Sequence, residues 1–283
     1  MAESALAAAA RLAARAGAEV TLVHVIEEGA PAEVHSERHL VSPEEAAAYL
    51  AEAARLPVLE GLQVKTHVHT AEVRNVARSI MEHATELAPD LVVLSATGRG
   101  GARRLLYGAM AQQVIGLGTT PVLLVRDPMA AGTWRTILAP VDGDPAHESG
   151  LTVATELALA FGCTLHLIMV TPRLGELQGS QAAAGILLPG ATRIKLEMDS
   201  AGAREYLAAR AADLARAGVR AGAEASRGDP ARAIARAAKR LSADLVVMGT
   251  HGRAGTTAFW EGSVAARVVA RTSAPLLLVP LRG

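Results

Sequence analysis

The feature that most constrains the fold of this chain is an internal repeat. PDLVVLSATGRGG at 89–101 matches ADLVVMGTHGRAG at 243–255, and the segment at 3–25 matches the segment at 148–170 with a shorter offset. The second copy therefore holds additional residues between its second and third strands. A repeat of this extent predicts two similar domains in tandem.

The expected domains are 1–128 and 133–283, joined by a linker at 127–133. Short apolar runs alternate with amphipathic stretches, which predicts βαβ units and a parallel sheet with helices on both faces. In the first copy we expect strands at 19–26, 62–68, 91–95 and 121–126, and helices at 4–16, 43–56, 74–87 and 108–117. In the second copy we expect strands at 137–141, 163–170, 219–226, 245–248 and 276–279, and helices at 147–160, 200–217, 230–241 and 264–271. The Gly- and Ala-rich segment at 171–200 is expected to be a long loop that covers a site.

Charge and composition exclude several classes of partner. The chain has 28 basic and 28 acidic residues, so a formal net charge of zero gives it no general attraction to nucleic acid. Aromatic residues make up only 2%, too few to provide platforms for base stacking. No apolar run approaches the roughly 18 residues that span a bilayer, and the lone Cys163, expected in the core, cannot form an internal disulfide. We therefore expect a cytoplasmic protein that contacts neither nucleic acid nor membrane.

A glycine motif follows the fourth strand of the second copy. Gly249 and Gly252 are separated by two residues, nine more follow, and Gly262 and Ser263 then precede an amphipathic stretch. Glycine lets the backbone approach an anion closely, and a helix N-terminus presents free N–H groups to it. Ser263 is placed as an N-cap. The motif predicts a phosphate-binding loop.

The spacing G-x-x-G, nine residues, G-S resembles the nucleotide-binding signature of the universal stress protein family. The preceding DLVVMGTHGR and the Ser-Ala-Pro before the last strand fit the same family. The resemblance covers nearly the whole chain and implies a tandem member with the Rossmann-like fold of the adenine nucleotide α-hydrolases. It implies α/β domains with doubly wound parallel sheets in the strand order 3-2-1-4-5. The implied ligand is ATP, AMP or a cyclic nucleotide.

The resemblance also implies roles for residues of the second copy, at the switch point where open α/β sheets bind ligands. Asp142, directly after the first strand, would approach the nucleoside, and the main chain of Val170 would hydrogen-bond adenine. The phosphates would be held by Gly249, Gly252, Gly262 and Ser263, with positive charge added by His251 and Arg253.

The first copy departs from this pattern. Its motif positions hold Ser95, Gly98, Gly108 and Ala109, and Arg74 replaces the loop glycine Gly228. The sequence begins at the helix that should follow the first strand, which is central in the implied order, so a counterpart of Asp142 is missing. We expect an N-terminally truncated first domain that binds nucleotide poorly or not at all. Alternatively, strands two and four close the gap, or another segment fills it.

The resemblance implies that the second domain binds ATP as a structural or signalling ligand in a stress response, with Mg²⁺ or Mn²⁺ entering alongside the nucleotide. Two other classes stay open. One is an interaction or assembly module of the same fold that binds no nucleotide. The other is an enzyme, either a slow ATP hydrolase or a nucleotide-consuming α-hydrolase, although the sequence offers no evident general base.

Three further observations bear on function and assembly. Asp142, Asp144, His147 and Glu148 are metal-ligand types, but a helix start after Pro145 accounts for them better than a metal site does. The absence of a Gly-Lys dipeptide excludes a Walker-type loop.

The apolar last strands, PVLLV and PLLLV, are expected at sheet edges, where they would pair with each other within the chain. Whether two chains also form a homodimer is left open.

Overall fold

The structure is a computed structural model that describes residues 5–29, 33–34, 37–38, 40–95, 113–125, 134–177, 179–250 and 263–281. The chain divides into two compact units, Met1–Ala130 and Ala131–Gly283.

The first unit contains short helices and mostly parallel strands. In chain order they are α1 (Leu6–Ala16), β1 (Val20–Glu27), β2 (Glu33–Val34), β3 (Glu37–Arg38), α2 (Pro43–Ala53), a 3₁₀ turn (Pro57–Leu59), β4 (Val64–Val73), α3 (Val76–Leu87), β5 (Val92–Ser95), α4 (113–117) and β6 (Val122–Val125). Ser42 caps α2, with its hydroxyl accepting from the Glu45 N–H at 3.2 Å, and Pro43 occupies the first helical position, as the sequence predicts.

The strands of the first unit form separate pairs. β1 pairs with β4 in parallel, β5 pairs with β6 in parallel, and β2 pairs with β3 in antiparallel. Within the described residues, β1 and β5 lie in different sheets. The alternative in which the second and fourth strands of this copy close the gap is therefore wrong.

The second unit is a longer alternation of strands and helices. It contains β7 (Thr136–Val141), a 3₁₀ turn (Pro145–His147), α5 (Ser149–Phe161), β8 (Thr164–Thr171), a 3₁₀ turn (Leu174–Glu176), α6 (Gly179–Leu187), α7 (Pro189–Arg216), β9 (Arg220–Arg227), α8 (Pro230–Arg240), β10 (Leu245–Thr250), α9 (Val264–Val269) and β11 (Leu276–Pro280).

The strands of this unit follow one another in the order β9-β8-β7-β10-β11, and all four ladders are parallel. Counted along the repeat, this is 3-2-1-4-5, with β7 in the middle. Apolar residues of β7, β8 and β10 are fully buried because helices cover the sheet. The Asp244 carboxylate accepts hydrogen bonds from the Arg135 and Thr136 amides at 2.8 and 2.9 Å, which fixes the start of β7 beside β10. The predicted α/β fold with parallel sheets is confirmed.

Several predicted elements have other bounds in the structure. In the first unit, β4 continues five residues past its predicted end, to Val73, and α2 ends three residues early, at Ala53. The expected loop at 171–200 instead contains α6 and the first turns of α7, because its alanines favour helix and Pro189 starts α7 at a position where the missing N–H costs nothing. β10 continues two residues past the predicted end, to Thr250. α9 ends at Val269, two residues early, and the Thr272 hydroxyl then accepts from the Ala274 N–H in a local turn.

Two sequence observations concern exposure. Among the described residues, none of the helices combines the length and apolar character that crossing a membrane requires. Cys163 is buried, as predicted, and its thiol donates to the Trp134 carbonyl oxygen at 3.2 Å. Burial raises the pKa of this thiol, with a further contribution from the Asp244 charge.

Candidate functional site

Three of the residues predicted to bind nucleotide lie at one edge of the second unit. Asp142 directly follows β7, Val170 is the penultimate residue of β8, and Gly249 is the penultimate residue of β10. Because these strands are parallel, their carboxyl ends meet at the same edge, where open α/β sheets bind ligands.

Gly249 lies within β10 rather than after it, paired with Val279 of β11. A Cβ atom at Gly249 would stand 2.8 Å from Leu281 Cδ2 and 3.0 Å from the His147 carbonyl oxygen. A Cβ at Gly150, in the first turn of α5, would stand 2.5 Å from the Gly249 nitrogen. Both positions therefore require glycine for packing, which brings the end of β10 against the turn after β7.

The turn after β7 is held by its own carboxylates. One oxygen of Asp142 accepts from the Asp144 N–H at 3.0 Å, and the Asp144 carboxylate accepts from the Ala146 N–H at 2.9 Å. Gly143 adopts φ +85°, and a Cβ there would stand 3.2 Å from Met169 Cε. These contacts fix the position of Asp142 beside the end of β8.

The second oxygen of Asp142 bonds His147 Nδ1 at 2.6 Å. This hydrogen bond raises the pKa of His147, against a smaller lowering by desolvation, and the charges of Asp142 and Asp144 raise it further. The contact with Asp142 thus stabilises the imidazolium form of His147 relative to a free imidazole. The sequence showed His147 only as a potential metal ligand or helix-start residue.

Val170 lies one residue beyond the last β7–β8 pair, Val141 with Met169, while it still pairs with Ser226 of β9. The central strand thus ends before Val170. The main chain of Val170 therefore lies at the carboxyl edge of the sheet, where adenine is predicted to bind.

Ser263 is the N-cap of α9, and its hydroxyl accepts from the Ala266 N–H at 3.2 Å. A serine hydroxyl has one donor and two acceptor positions. Capping uses one acceptor position, so the O–H group can also donate to a phosphate oxygen.

The other motif residues of the second copy, His251, Gly252, Arg253 and Gly262, lie outside the described residues. In the first copy, Ser95 is the last residue of β5, while Gly98, Gly108 and Ala109 lie outside the described residues.

The four residues of metal-ligand type do not converge on one point. Asp142 bonds His147, Asp144 caps the 3₁₀ turn, and Glu148 bonds side chains of α7. In the described part of the chain, no group of three or more His, Cys, Asp or Glu side chains is arranged to hold a metal ion.

Sequence reasoning missed a network that joins α7 to the start of α5. The Tyr206 hydroxyl donates to Glu148 at 2.6 Å, and Arg210 pairs with the same carboxylate oxygen at 3.0 Å while its guanidinium lies 5.4 Å from the Tyr206 ring centroid. Burial raises the pKa of Tyr206, and the hydrogen bond to Glu148 raises it further. The partners are 58 residues apart, so no local pattern indicates the contact.

Comparison with known proteins shows matches over both units. The family described as the universal stress protein family matches residues 1–126 and 133–280. A universal stress protein from Mycolicibacterium smegmatis is 29% identical over 284 residues, which cover 96% of this chain and 90% of that protein.

Solved structures show the same architecture. A universal stress protein from Archaeoglobus fulgidus superposes with a TM-score of 0.69 at 17% identity, covering 99% of this chain and 90% of the other. A functionally unknown protein from Pseudomonas aeruginosa superposes with a TM-score of 0.64 at 19% identity, covering 98% of this chain and 87% of the other. At these identities the likeness concerns the fold.

Proposed function

Because this chain belongs to the universal stress protein family, we propose that its second unit binds an adenine nucleotide, ATP in the first instance, at the carboxyl edge of its sheet. The observation that carries the proposal is the contact of Gly249 with the turn after β7. This contact places the first residue of the phosphate motif beside the turn that holds Asp142, so both ends of a nucleotide have partners at one edge.

Each predicted residue then has a role. Asp142 bonds the ribose, the main chain of Val170 bonds adenine, and the Ser263 hydroxyl donates to a phosphate while it caps α9. The remaining motif residues, Gly249, Gly252 and Gly262, let the backbone approach the phosphates, with charge from His251 and Arg253. Mg²⁺ or Mn²⁺ accompanies the nucleotide as its counter-ion.

We assign one nucleotide per chain. The first unit has Ser95 where the second has Gly249, and Ala109 where the second has Ser263. The nucleotide acts as a structural or signalling ligand in a stress response rather than as a substrate.

The test is a calorimetric titration of ATP, AMP and cAMP into the purified full chain, with mass spectrometry of any ligand that copurifies. Wild type should bind one ATP. Ser263→Ala should weaken ATP at least about tenfold, the loss expected for one hydrogen bond to a charged group.

Ser42→Ala is the matched control, because Ser42 caps α2 of the first unit with the same 3.2 Å bond to a backbone N–H. Its ATP affinity should equal that of wild type. Wild-type protein that binds no nucleotide would favour the assembly module, and steady phosphate release from ATP would favour the hydrolase.

A further inference from the structure

A second concentration of charge lies at the carboxyl ends of β8 and β9. A solvent-open cavity of about 380 Å³ is lined there by five arginines: Arg173, Arg227, Arg232, Arg236 and Arg271. Its volume is within the range of small-molecule pockets. None of the described residues assigned above to the nucleotide contributes to this lining.

Two carboxylates, Asp229 and Glu176, also line the cavity, so five guanidinium groups stand against two negative charges. Asp229 caps α8 by accepting from the Arg232 N–H at 2.9 Å, and it pairs with Arg267, which lies outside the lining. Partial burial raises the pKa of Asp229, yet these two hydrogen bonds and the charges of Arg267 and Arg271 outweigh it, so the pKa is lowered. Glu176 accepts from the Arg173 N–H at 3.2 Å.

Arg232 and Arg236 lie one turn apart on the exposed face of α8. Within the described residues, neither guanidinium makes a hydrogen bond or ion pair. Like charges at this spacing repel each other. An anion between them would relieve the repulsion.

The first unit shows the same positions in a neutralised form. The repeat aligns Arg173, Gly228, Arg232 and Arg236 with Glu28, Arg74, Arg78 and Glu82. In the first unit these four side chains form two ion pairs, Arg74 with Glu28 at 2.7 Å and Arg78 with Glu82 at 3.0 Å. The second unit has three positive charges and a glycine instead.

We infer that this cavity binds a small molecule that carries more than one phosphate group. Guanidinium groups bind phosphate oxygens through two parallel hydrogen bonds. A phosphate group also carries more negative charge than a carboxylate, so it is the better match for a cavity with an excess of arginines. The number of arginines and the size of the cavity exceed what a single phosphate group needs. This site is additional to the nucleotide site proposed above.

The experiment titrates pyrophosphate into the full chain at fixed ionic strength, with AMP present to occupy the proposed nucleotide site, because AMP carries only one phosphate group and should not fill the cavity. Wild type should bind one pyrophosphate. The double variant Arg232→Ala/Arg236→Ala should bind it at least about tenfold more weakly.

The double variant Lys239→Ala/Arg240→Ala is the control, because it removes two cations from the same helix outside the cavity. It should bind pyrophosphate within about twofold of wild type. Glu176→Gln should tighten binding severalfold, because it removes a negative charge from the cavity wall. Inorganic phosphate should bind more weakly than pyrophosphate.

Several results would overturn the inference: absence of pyrophosphate binding by wild type, equal losses in both double variants, or a hexaglutamate peptide that binds as tightly as pyrophosphate. Equal loss of ATP and pyrophosphate in Arg232→Ala/Arg236→Ala would show one site rather than two. If wild type binds pyrophosphate but no nucleotide, only the proposed function fails.

Discussion

The two units of this chain share one repeat, and the difference with the largest structural consequence is a central strand that is described only in the second. In the second unit β7 lies between β8 and β10, and five parallel strands form one continuous sheet. In the described residues of the first unit, which has no counterpart of β7, the equivalent strands form the separate pairs β1–β4 and β5–β6. The central strand is therefore what joins the two halves of the repeat.

An aspartate at the same position of the repeat acts differently in the two units, because only the second unit has a described central strand for it to bind. Asp244 binds two backbone amides at the start of β7. Asp90, the equivalent residue in the repeat, is exposed in the first unit, and its carboxylate has no hydrogen bond within the described residues. A residue retained by the repeat stabilises the structure only where the strand it binds is present.

The central strand also positions the residues of the candidate site. The turn after β7 carries Asp142 and His147 and packs on Gly249 through a contact that only glycine permits. The first unit has Ser95 at the position of Gly249 and Ala5 at the position of Gly150. Sheet continuity and the candidate site thus depend on the same element.

The largest effect is expected from Gly150→Ala, the residue that the first unit has at this position. The new Cβ would lie 2.5 Å from the Gly249 nitrogen and 2.9 Å from the Met248 carbonyl carbon. Because backbone must move, we expect a loss of about 3 kcal/mol in the free energy of unfolding of the second unit. Hydrogen exchange of peptides from 134–281, compared between wild type and Gly150→Ala, measures this loss of stability.

Gly202→Ala is the control. Gly202 is exposed within α7, and a Cβ there would have nothing within 4 Å. We expect a gain of about 0.5–1 kcal/mol from helix propensity. Unchanged exchange protection in Gly150→Ala would mean that the end of β10 is not held by this contact.

The next largest effect on stability is expected from removing Asp244, and the equivalent residue Asp90 of the first unit provides the comparison. Asp244→Ala leaves the Arg135 and Thr136 amides without their acceptor, which should cost about 2 kcal/mol in the second unit. Asp90→Ala should leave the exchange protection of the first unit unchanged. Equal losses in both variants would show that the two residues stabilise their units in the same way, whether or not a central strand is present.

The general fold can be predicted from sequence because the repeat and the strand periodicity are local patterns. Predicted strand positions in the second unit are correct to within one or two residues. The prediction of a loop at 171–200 is wrong because its glycines suggest a loop, whereas its alanines and Pro189 form helices. Composition alone does not decide between these two effects.

The candidate site can be predicted only where a residue type has one evident purpose. The prediction of Ser263 as an N-cap is confirmed, since a serine before an amphipathic stretch is typical of that role. The packing of Gly150 on Gly249 and the bond of Tyr206 to Glu148 join residues far apart in sequence. Such contacts follow from the arrangement of elements and not from a local pattern.

A smaller effect is expected from the Asp142–His147 pair, which the first unit lacks. The raised pKa of His147 means that the folded state holds the proton more tightly than the unfolded state. This stabilisation is fully present below the unfolded pKa of about 6.5 and is lost as pH rises through the higher folded pKa. The pair is partly exposed, so its size should be below about 1 kcal/mol.

The measurement compares wild type with His147→Gln by urea unfolding at acidic and alkaline pH. The difference should appear at acidic pH and vanish at alkaline pH. Asp142→Asn should lower the pKa of His147 in an NMR titration, because it removes the carboxylate that bonds Nδ1. A stability difference that grows with pH would contradict a raised pKa of His147 in the folded state.

The smallest effect on stability is expected when the four paired residues of the first unit, Glu28, Arg74, Arg78 and Glu82, are given the charges of their counterparts in the second unit. The triple variant Glu28→Arg/Arg74→Gly/Glu82→Arg retains Arg78 and reproduces the charges of Arg173, Arg232 and Arg236. Its stability should hardly change, since all the altered side chains are exposed. Calorimetry should detect a second pyrophosphate per chain.

This second binding event should be at least about tenfold weaker than the first, because Val73 occupies the position of Arg227 in the repeat. Arg74→Gly alone is the control, since it removes an ion pair without adding positive charge and should give no second event. If the triple variant also gives none, uncompensated arginines at these positions do not suffice for binding. The cavity at the ends of β8 and β9 must then owe its affinity for pyrophosphate to Arg227 and Arg271, whose counterparts the triple variant does not change.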